Sequence, residues 1–238
     1  MSTEISSADA AAIPLWNAAY DESHTGEQGN LWGDPPVPHA ATAATLFAEH
    51  SAAVVVDLPC GDGRNLPPLA LGAPILIGGD TSTNAMTIAE RVTRKAGIRN
   101  KVVFAHMDAF ATGLLDNSVD GIFSWDLLGH LTNPVDALRE MYRITRPGGH
   151  IVANMWTMND CQVTDPNIRE VGPKEFIDHY ELYCRFYDHA DLEALLTTAG
   201  MTAVSVEVAA WHEPAHADYR TYEHDHESLV FTIRKPAG

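Results

Sequence analysis

Asp57-Leu58-Pro59-Cys60-Gly61-Asp62-Gly63 sets an acid and a glycine-rich turn directly behind three valines, Val54-Val55-Val56. Glycines at such a turn let bare backbone approach a small ligand closely. Asp57 offers a carboxylate to a hydrogen-bond donor or a positive charge. Two more acids recur in equivalent places: Asp80 after Ile75-Leu76-Ile77, and Asp108 after Val102-Val103-Phe104. In an open parallel sheet, ligands gather beyond the carboxyl ends of the strands, and an acid after the second strand commonly grips ribose hydroxyls. A dinucleotide site wants G-x-G-x-x-G over a helix N-terminus. This turn lacks that pattern, and Asp62 would oppose a pyrophosphate. It would not oppose a ligand bearing an ammonium and a sulfonium.

The elements that must hold these acids alternate along the chain. Strands are expected at 53–58, 75–77, 101–104, 119–125 and 150–156, with helices near 66–71, at 83–95 and at 133–144. Short apolar runs alternating with helical stretches mean a parallel sheet covered on both faces. Gly97 closes the second of these helices; Asn133 caps the third and Pro134 takes its first position. A helix at 190–199 and strands at 203–210 and 228–234 follow; with no helix between them, the last two strands pair antiparallel or lie apart in the sheet. Ahead of the first strand, a helix at 10–20 tolerates Pro14 only near its first turn. A second helix covers 40–50. Between them, Leu31-Trp32 forms an apolar island that packs on the core or closes over a ligand.

Thirty-two acidic against 15 basic residues leave a formal charge of −17. Such a surface repels phosphate backbones and anionic lipid, so nucleic acid and membrane are not expected partners. Apolar content of 45% supports one large domain with a real core. The three cysteines, Cys60, Cys161 and Cys184, show no paired spacing, which fits a reducing cytoplasm. No export signal and no membrane span are read from the sequence. A homo-oligomer is left open.

Taken together, the Asp57–Gly63 turn, Gly79-Asp80-Thr81-Ser82, Asp108-Ala109, Asn117-Ser118-Val119-Asp120 and Arg143–Gly149 resemble the class I S-adenosylmethionine-dependent methyltransferases that act on small molecules. The match covers residues 53–158 closely. It implies an α/β fold: a Rossmann-like, seven-stranded, mostly parallel sheet with an antiparallel last strand and helices on both faces. The whole chain, 1–238, is then one domain, with an N-terminal lid segment at 1–50 and an acceptor-pocket insertion at 159–185. By the same resemblance Asp57, Gly61 and Gly63 surround the methionine part of the cofactor. Asp80, with Thr81, takes the ribose, Asp108 and Ala109 border the adenine, and Trp125 and Asp126 line the wall. Pro59 departs from the family, which usually has its first glycine there; Pro59 removes a backbone donor and fixes φ at roughly −65°.

Two stretches are left for the acceptor. One is the insertion, with Asp160, Asp165, Glu170, Lys174, Glu175, Tyr180 and Tyr183. The other runs Trp211-His212-Glu213-Pro214-Ala215-His216, then Tyr219-Arg220 and His224-Asp225-His226. It reads as a solvated polar loop, or as a site for a metal ion or an anionic head group, with His212, Arg220, His224 and His226 as its contacts. The arrangement resembles prenyl-diphosphate C-methyltransferases. That resemblance implies a short prenyl diphosphate such as geranyl diphosphate held with Mg²⁺, in specialised metabolism. Glu170 would be the base that removes a proton after methylation, and Trp156, Tyr180 and Trp211 the aromatic walls for the carbocation. Glu170 otherwise reads as a solvent-facing acid of an inserted helix. An O- or N-methyltransferase is the alternative, with His130 in Trp125-Asp126-Leu127-Leu128-Gly129-His130 as the base. A cofactor-binding scaffold without turnover is the alternative from another class.

Overall fold

The computed structural model describes residues 7–21, 35–215 and 222–237. Two expectations therefore lie outside the described residues: the Leu31-Trp32 lid and the contact by Arg220.

The chain opens with helix α1 (Ser7–Ala19) and α2 (Pro38–Glu49), then alternates β1 (Val54–Asp57), α3 (Leu66–Leu69), β2 (Ile75–Asp80), α4 (Thr83–Lys95), β3 (Val102–His106), β4 (Val119–Ser124), α5 (Pro134–Ile144) and β5 (Thr145–Trp156). Helix α6 (His189–Ala199) and the long hairpin β9 (Ala203–Glu213) and β10 (His224–Arg234) close it. Among the described residues the main sheet has seven strands in the order β3-β2-β1-β4-β5-β10-β9. β10 runs antiparallel to both β5 and β9, so it alone opposes the others, as the sequence indicates. Strand order reverses between β1 and β4, which pair in parallel; this is where an open sheet leaves a crevice for ligands.

Local chemistry sets the boundaries. Ser82 caps α4 by accepting from the Ala85 amide at 3.1 Å, and Asp188 and Asp191 close a reciprocal capping box on α6. The valines of β1 are sealed by apolar layers on both sides. On one face Leu138, Met141 and Ile144 of α5 pack with Leu192 and Leu196 of α6. On the other, Phe47 of α2 packs with Leu66, Leu69 and Phe123.

Three expectations change. Pro14 sits in the body of α1, which starts at Ser7 and not at residue 10; the proline costs a backbone bond there, while packing of Trp16 and Tyr20 on Ala85 and Ile88 of α4 holds the helix. β5 begins at Thr145, because the Pro147-Gly148-Gly149 stretch runs on as irregular strand, with a register shift opposite Val119/Gly121. The insertion at 159–185 contains no α-helix. It folds as a separate three-stranded antiparallel sheet of β6 (Arg169–Gly172), β7 (Glu175–Ile177) and β8 (Tyr183–Arg185). No helix among the described residues is long and apolar enough to cross a membrane.

Candidate active site

Two adjoining cavities open over the carboxyl ends of β1, β2 and β4. The narrower is bordered by Leu58, Met107, Asp108, Ala109 and Phe110. The wider runs over Gly61 and Asp62 towards Trp125, Trp156, Glu213 and His226. Trp16, Pro59, Asp80, Thr81, Leu127 and His130 border both and so mark the junction.

The turn after β1 makes the floor. Positive φ falls on Gly61 (+50°) and Gly63 (+85°), leaving Pro59 clear of that demand. A Cβ on Gly63 would stand 2.8 Å from the Ala89 Cβ, so the turn packs directly on α4. Asp80 holds the turn from beneath, its carboxylate accepting from the Gly61 and Ser82 amides at 2.8 Å each. Burial pushes Asp80 up to about 6, against the pull of those amides. Asp57 is fully buried below the turn and reaches neither cavity surface, and neither of its carboxylate oxygens has a partner. Burial, together with the fields of Asp80 and Asp62, drives its carboxyl well above the usual range. An orphaned carboxyl beside two other acids suits a cationic ligand above it. The residues present thus fit an ammonium- and sulfonium-bearing cofactor. Asp108 turns inward to the Phe110 amide at 2.8 Å, and with Ala109 it borders the narrower cavity.

Helix α1 crosses the opening. Asp9 accepts from the Thr132 amide and hydroxyl at 2.9 and 2.8 Å. At the other end Asn17 accepts from the backbone and side-chain amides of Asn84, at the start of α4, at 3.2 and 2.9 Å. Trp16 and Tyr20, which the sequence reading passed over, thereby enter the cavity walls.

His130 stands at the junction. Its ring lies edge-on between Trp16 (4.6 Å between centroids) and Trp156 (4.7 Å). Nδ1 lies 2.8 Å from the Tyr183 carbonyl oxygen. A carbonyl only accepts, so Nδ1 carries the proton and Nε2 keeps the lone pair. Burial lowers the imidazole's pKa, more than Asp178 and the Tyr183 carbonyl raise it, so the ring is neutral and basic at physiological pH.

The far wall is a buried polar network. Arg64, hidden under the turn, reaches Glu213 Oε1 through Nη1 at 3.0 Å, and its Nη2 lies 3.8 Å from Asp126 Oδ2. Trp211 Nε1 donates to the same Glu213 oxygen at 3.0 Å. His226 Nδ1 lies 3.0 Å from Asp160 Oδ2, and His224 Nδ1 lies 3.0 Å from the Tyr222 carbonyl. Burial works against charge on His226, but Asp160, assisted by Cys161, holds it up to about 10. Trp125 lies on this side, stacked on His39 at 5.1 Å and tilted against Trp211 at 5.5 Å, and lines the wider cavity only.

Four residues expected on the acceptor side border neither cavity, and the first of them, Trp211, lies behind the wall, donating to Glu213. Glu170 is exposed on β6 and borders neither cavity; the strand pairing that replaces the expected helix places it opposite Phe176 in the small sheet. Tyr180 lies against His179 and borders neither cavity, whereas Asp178 enters the wall. His212 alternates with Trp211 and Glu213 along β9, so it faces out and pairs with Asp225 at 3.0 Å. Three of the acids that could serve Mg²⁺ already accept from N–H groups. Asp160 accepts from the Gln162 and Glu227 amides, Asp178 from the Tyr180 and Leu182 amides, and Asp126 from Asn154. Among the described residues the side chains that gather as metal ligands do are Cys161, His224 and His226, a sulfur and nitrogen set that does not suit Mg²⁺. Arg64 carried no sequence signal, because an arginine in a turn ordinarily marks solvent.

Residues 56–153 match the methyltransferase domain family. Methyltransferase GfsG of Streptomyces halstedii is 32% identical over 99 residues, covering 41% of this chain and 35% of that protein. The 27-O-demethylrifamycin SV methyltransferase of Amycolatopsis mediterranei is 24% identical over 140 residues, covering 55% of this chain and 52% of that protein. The chain thus spans about a third to a half of the length of these relatives. Among solved structures, 1,6-didemethyltoxoflavin-N1-methyltransferase of Burkholderia thailandensis, with bound 1,6-didemethyltoxoflavin and S-adenosylhomocysteine, superposes with a TM-score of 0.65 at 17% identity, covering 99% of this chain and 93% of that one. A structure described under conversion of a disulfide bond into a thioacetal group during echinomycin biosynthesis gives 0.70 at 19% identity, covering 94% and 93%.

Proposed function

We propose that the chain is a class I S-adenosylmethionine-dependent methyltransferase that methylates a hydroxyl group of a small molecule, with His130 as the base. The observation that carries this reading is the placement of His130, whose proton is fixed on Nδ1 and whose ring borders both cavities. The adenosine end of the cofactor then lies in the narrower cavity, with Asp80 and Thr81 at the ribose and Asp108 and Ala109 at the adenine. Its methionine end lies over Gly61 and Gly63. When bound, the cofactor supplies a methyl carbon on a sulfonium, already a good leaving centre. His130 Nε2 accepts the proton of the acceptor hydroxyl as its oxygen bonds to the methyl carbon. The electron pair of the broken S–C bond returns to sulfur. Trp16, Trp156 and α1 exclude water and hold the acceptor in line, which is the larger part of the rate when the leaving group is intrinsically good.

C-methylation of a short prenyl diphosphate is a second reading. It is supported by the aromatic wall of Trp16, Tyr20, Trp125 and Trp156. Against it, Asp62, Asp80, Asp126, Asp178 and Glu213 border the wider cavity, with Arg64 as the guanidinium among the described residues of its wall, a field that repels a diphosphate. Glu170 also stands outside the site.

Calorimetric titration with S-adenosylmethionine, followed by transfer of its labelled methyl group to parallel panels of phenols and prenyl diphosphates, tests both. Binding with label in a phenol ether is expected. Label in a prenyl diphosphate would replace the first reading by the second, and binding of NAD(H) without S-adenosylmethionine would remove both.

A further inference from the structure

His130 follows β4 in the chain, yet its ring is held by the insertion. Nδ1 donates to the carbonyl of Tyr183, the first residue of β8, at 2.8 Å. The residue before it fits as tightly: a Cβ on Gly129 would stand 2.6 Å from the Trp156 ring and 3.1 Å from the Arg185 carbonyl. Only bare backbone passes there. Trp156 in turn packs with Phe176, Cys184 and Phe186 of the insertion and the segment after it, and the Tyr187 amide donates to the Trp156 carbonyl at 2.8 Å. The small sheet and the end of β5 thus make one wall, and the segment carrying His130 is pressed against it.

Asp178 fixes the Tyr183 carbonyl. Residues 178–182 join β7 to β8, and Asp178 closes that turn twice. Its amide donates to the Leu182 carbonyl at 2.9 Å, and its carbonyl accepts from the Glu181 amide at 3.0 Å. Its side-chain Oδ1 accepts from the Tyr180 and Leu182 amides at 2.8 and 2.9 Å, the pattern by which an aspartate organises a turn. Asp178 also borders the wider cavity together with His130. The other titratable groups around the ring come from several elements. β8 brings the Cys184 thiol, its Sγ 3.7 Å from Nδ1 and kept neutral by burial, and Arg185, paired with Glu175 at 3.2 Å. α1 brings Asp9, and the strand ends bring Asp80, Asp108 and Asp126. Burial lowers the ring's pKa, and Asp178 acts against it.

We propose that Asp178 is the positioning residue of the base: it shapes the 178–182 turn so that the Tyr183 carbonyl meets Nδ1, and it puts a negative charge on the wall where the imidazolium forms. The inference rests on the reading of His130 as the base. In the transfer the acceptor O–H bond breaks and an Nε2–H bond forms. The positive charge then spreads over both ring nitrogens, with the Tyr183 carbonyl on one of them. Asp178 takes no proton itself; its field opposes the burial that disfavours the charged ring. The insertion, outside the alternating strands and helices, thereby sets the strength of the base.

Long-range proton–nitrogen NMR of the imidazole rings in the full chain tests this without an acceptor, and His130→Asn identifies the His130 signal by its loss. The wild-type ring should show the Nδ1–H tautomer. Asp178→Asn keeps an oxygen for the Tyr180 and Leu182 amides but removes the charge. It should keep that tautomer and titrate at a lower pH than wild type. Asp178→Ala removes the turn's acceptor as well, and the two tautomers should mix; where this variant does not fold, Asp178→Asn carries the test. Single-turnover transfer to the phenol panel should fall about tenfold in Asp178→Asn, short of the about 10²- to 10⁴-fold that loss of the base itself costs. A His130 midpoint that does not move in Asp178→Asn overturns the proposal, even where melting temperature falls, since that is a structural role alone. A wild-type ring protonated on Nε2 overturns it too. Turnover that survives His130→Asn, with the midpoint still moved by Asp178→Asn, removes the base reading and leaves the coupling between the two residues standing.

Discussion

Replacing His130 by Asn separates the base from its mooring. Asn offers an amide N–H close to the place of Nδ1, so the hydrogen bond to the Tyr183 carbonyl, 2.8 Å in the native chain, survives, while no basic atom stands in place of Nε2. Removing a positioned base costs about 10²- to 10⁴-fold in turnover, which is about 3–5 kcal/mol of barrier. The structural cost is smaller. The ring's edge contacts with Trp16 and Trp156 are lost, worth about 1–2 kcal/mol, or a fall of about 2–8 °C in melting temperature for a chain of this size. Because His130 only borders the narrower cavity, the S-adenosylmethionine dissociation constant should stay within about threefold, leaving the loss in kcat. The pH profile gives the sharper signature. Burial lowers the His130 pKa, so wild-type kcat/KM should rise with pH through a midpoint below the ordinary 6.5 and stay level above it. In the variant that inflection should vanish. Single-turnover methyl transfer across pH 5–9 (roughly the span where histidine titrates) measures both. Turnover within about threefold of wild type, or an unchanged midpoint, would refute His130 as the base.

Two further outcomes follow from the turn below the cofactor. Asp80 must be ionised to accept from both the Gly61 and Ser82 amides, and burial has raised it to about 6; S-adenosylmethionine affinity should therefore hold above that pH and fall as pH drops through it. Calorimetry at pH 5 and 8 checks this, and equal affinities would reject it. The sign for folding is opposite, since a raised carboxyl favours the folded chain at low pH and loses that contribution as pH rises through about 6. Gly63→Ala sets a Cβ 2.8 Å from that of Ala89 at a φ of +85°. It should cost about 2–4 kcal/mol by overpacking and strain, read from urea midpoints; a loss below about 0.5 kcal/mol would mean that α4 moves aside.

The donor half of the site was legible because each part is local. The boundaries of α4 agree with expectation to the residue, since Ser82 caps it and Gly97 ends it with φ +71°. The acids after β1, β2 and β3 are found where strand-end logic puts them. The acceptor half depends on contacts between distant stretches. Glu213 gains its meaning only from the register that brings it opposite His224, and Arg64 only from the Glu213 it reaches 149 residues away. Glu170 misled because β6 and β7 have four and three residues, too short for alternation to separate strand from helix. Pro14 misled because the propensity cost of a proline is overridden by the anchoring of α1 through Asp9 and Asn17.

The sheet order has a consequence for descent. The turn, Asp80 and Asp108, which make the donor half, all precede β5, whereas Trp156, Gln162, Asp178, Glu213, His224 and His226 all come from β5 or after it. In the proposed reading the donor half thus lies ahead of β5, while the acceptor half draws on both lengths, taking Trp16 and His130 from the earlier one. Substitutions in the later length can turn the chain towards a new acceptor while the earlier one stays as it is. The hairpin that closes the sheet is the natural place for such change to start.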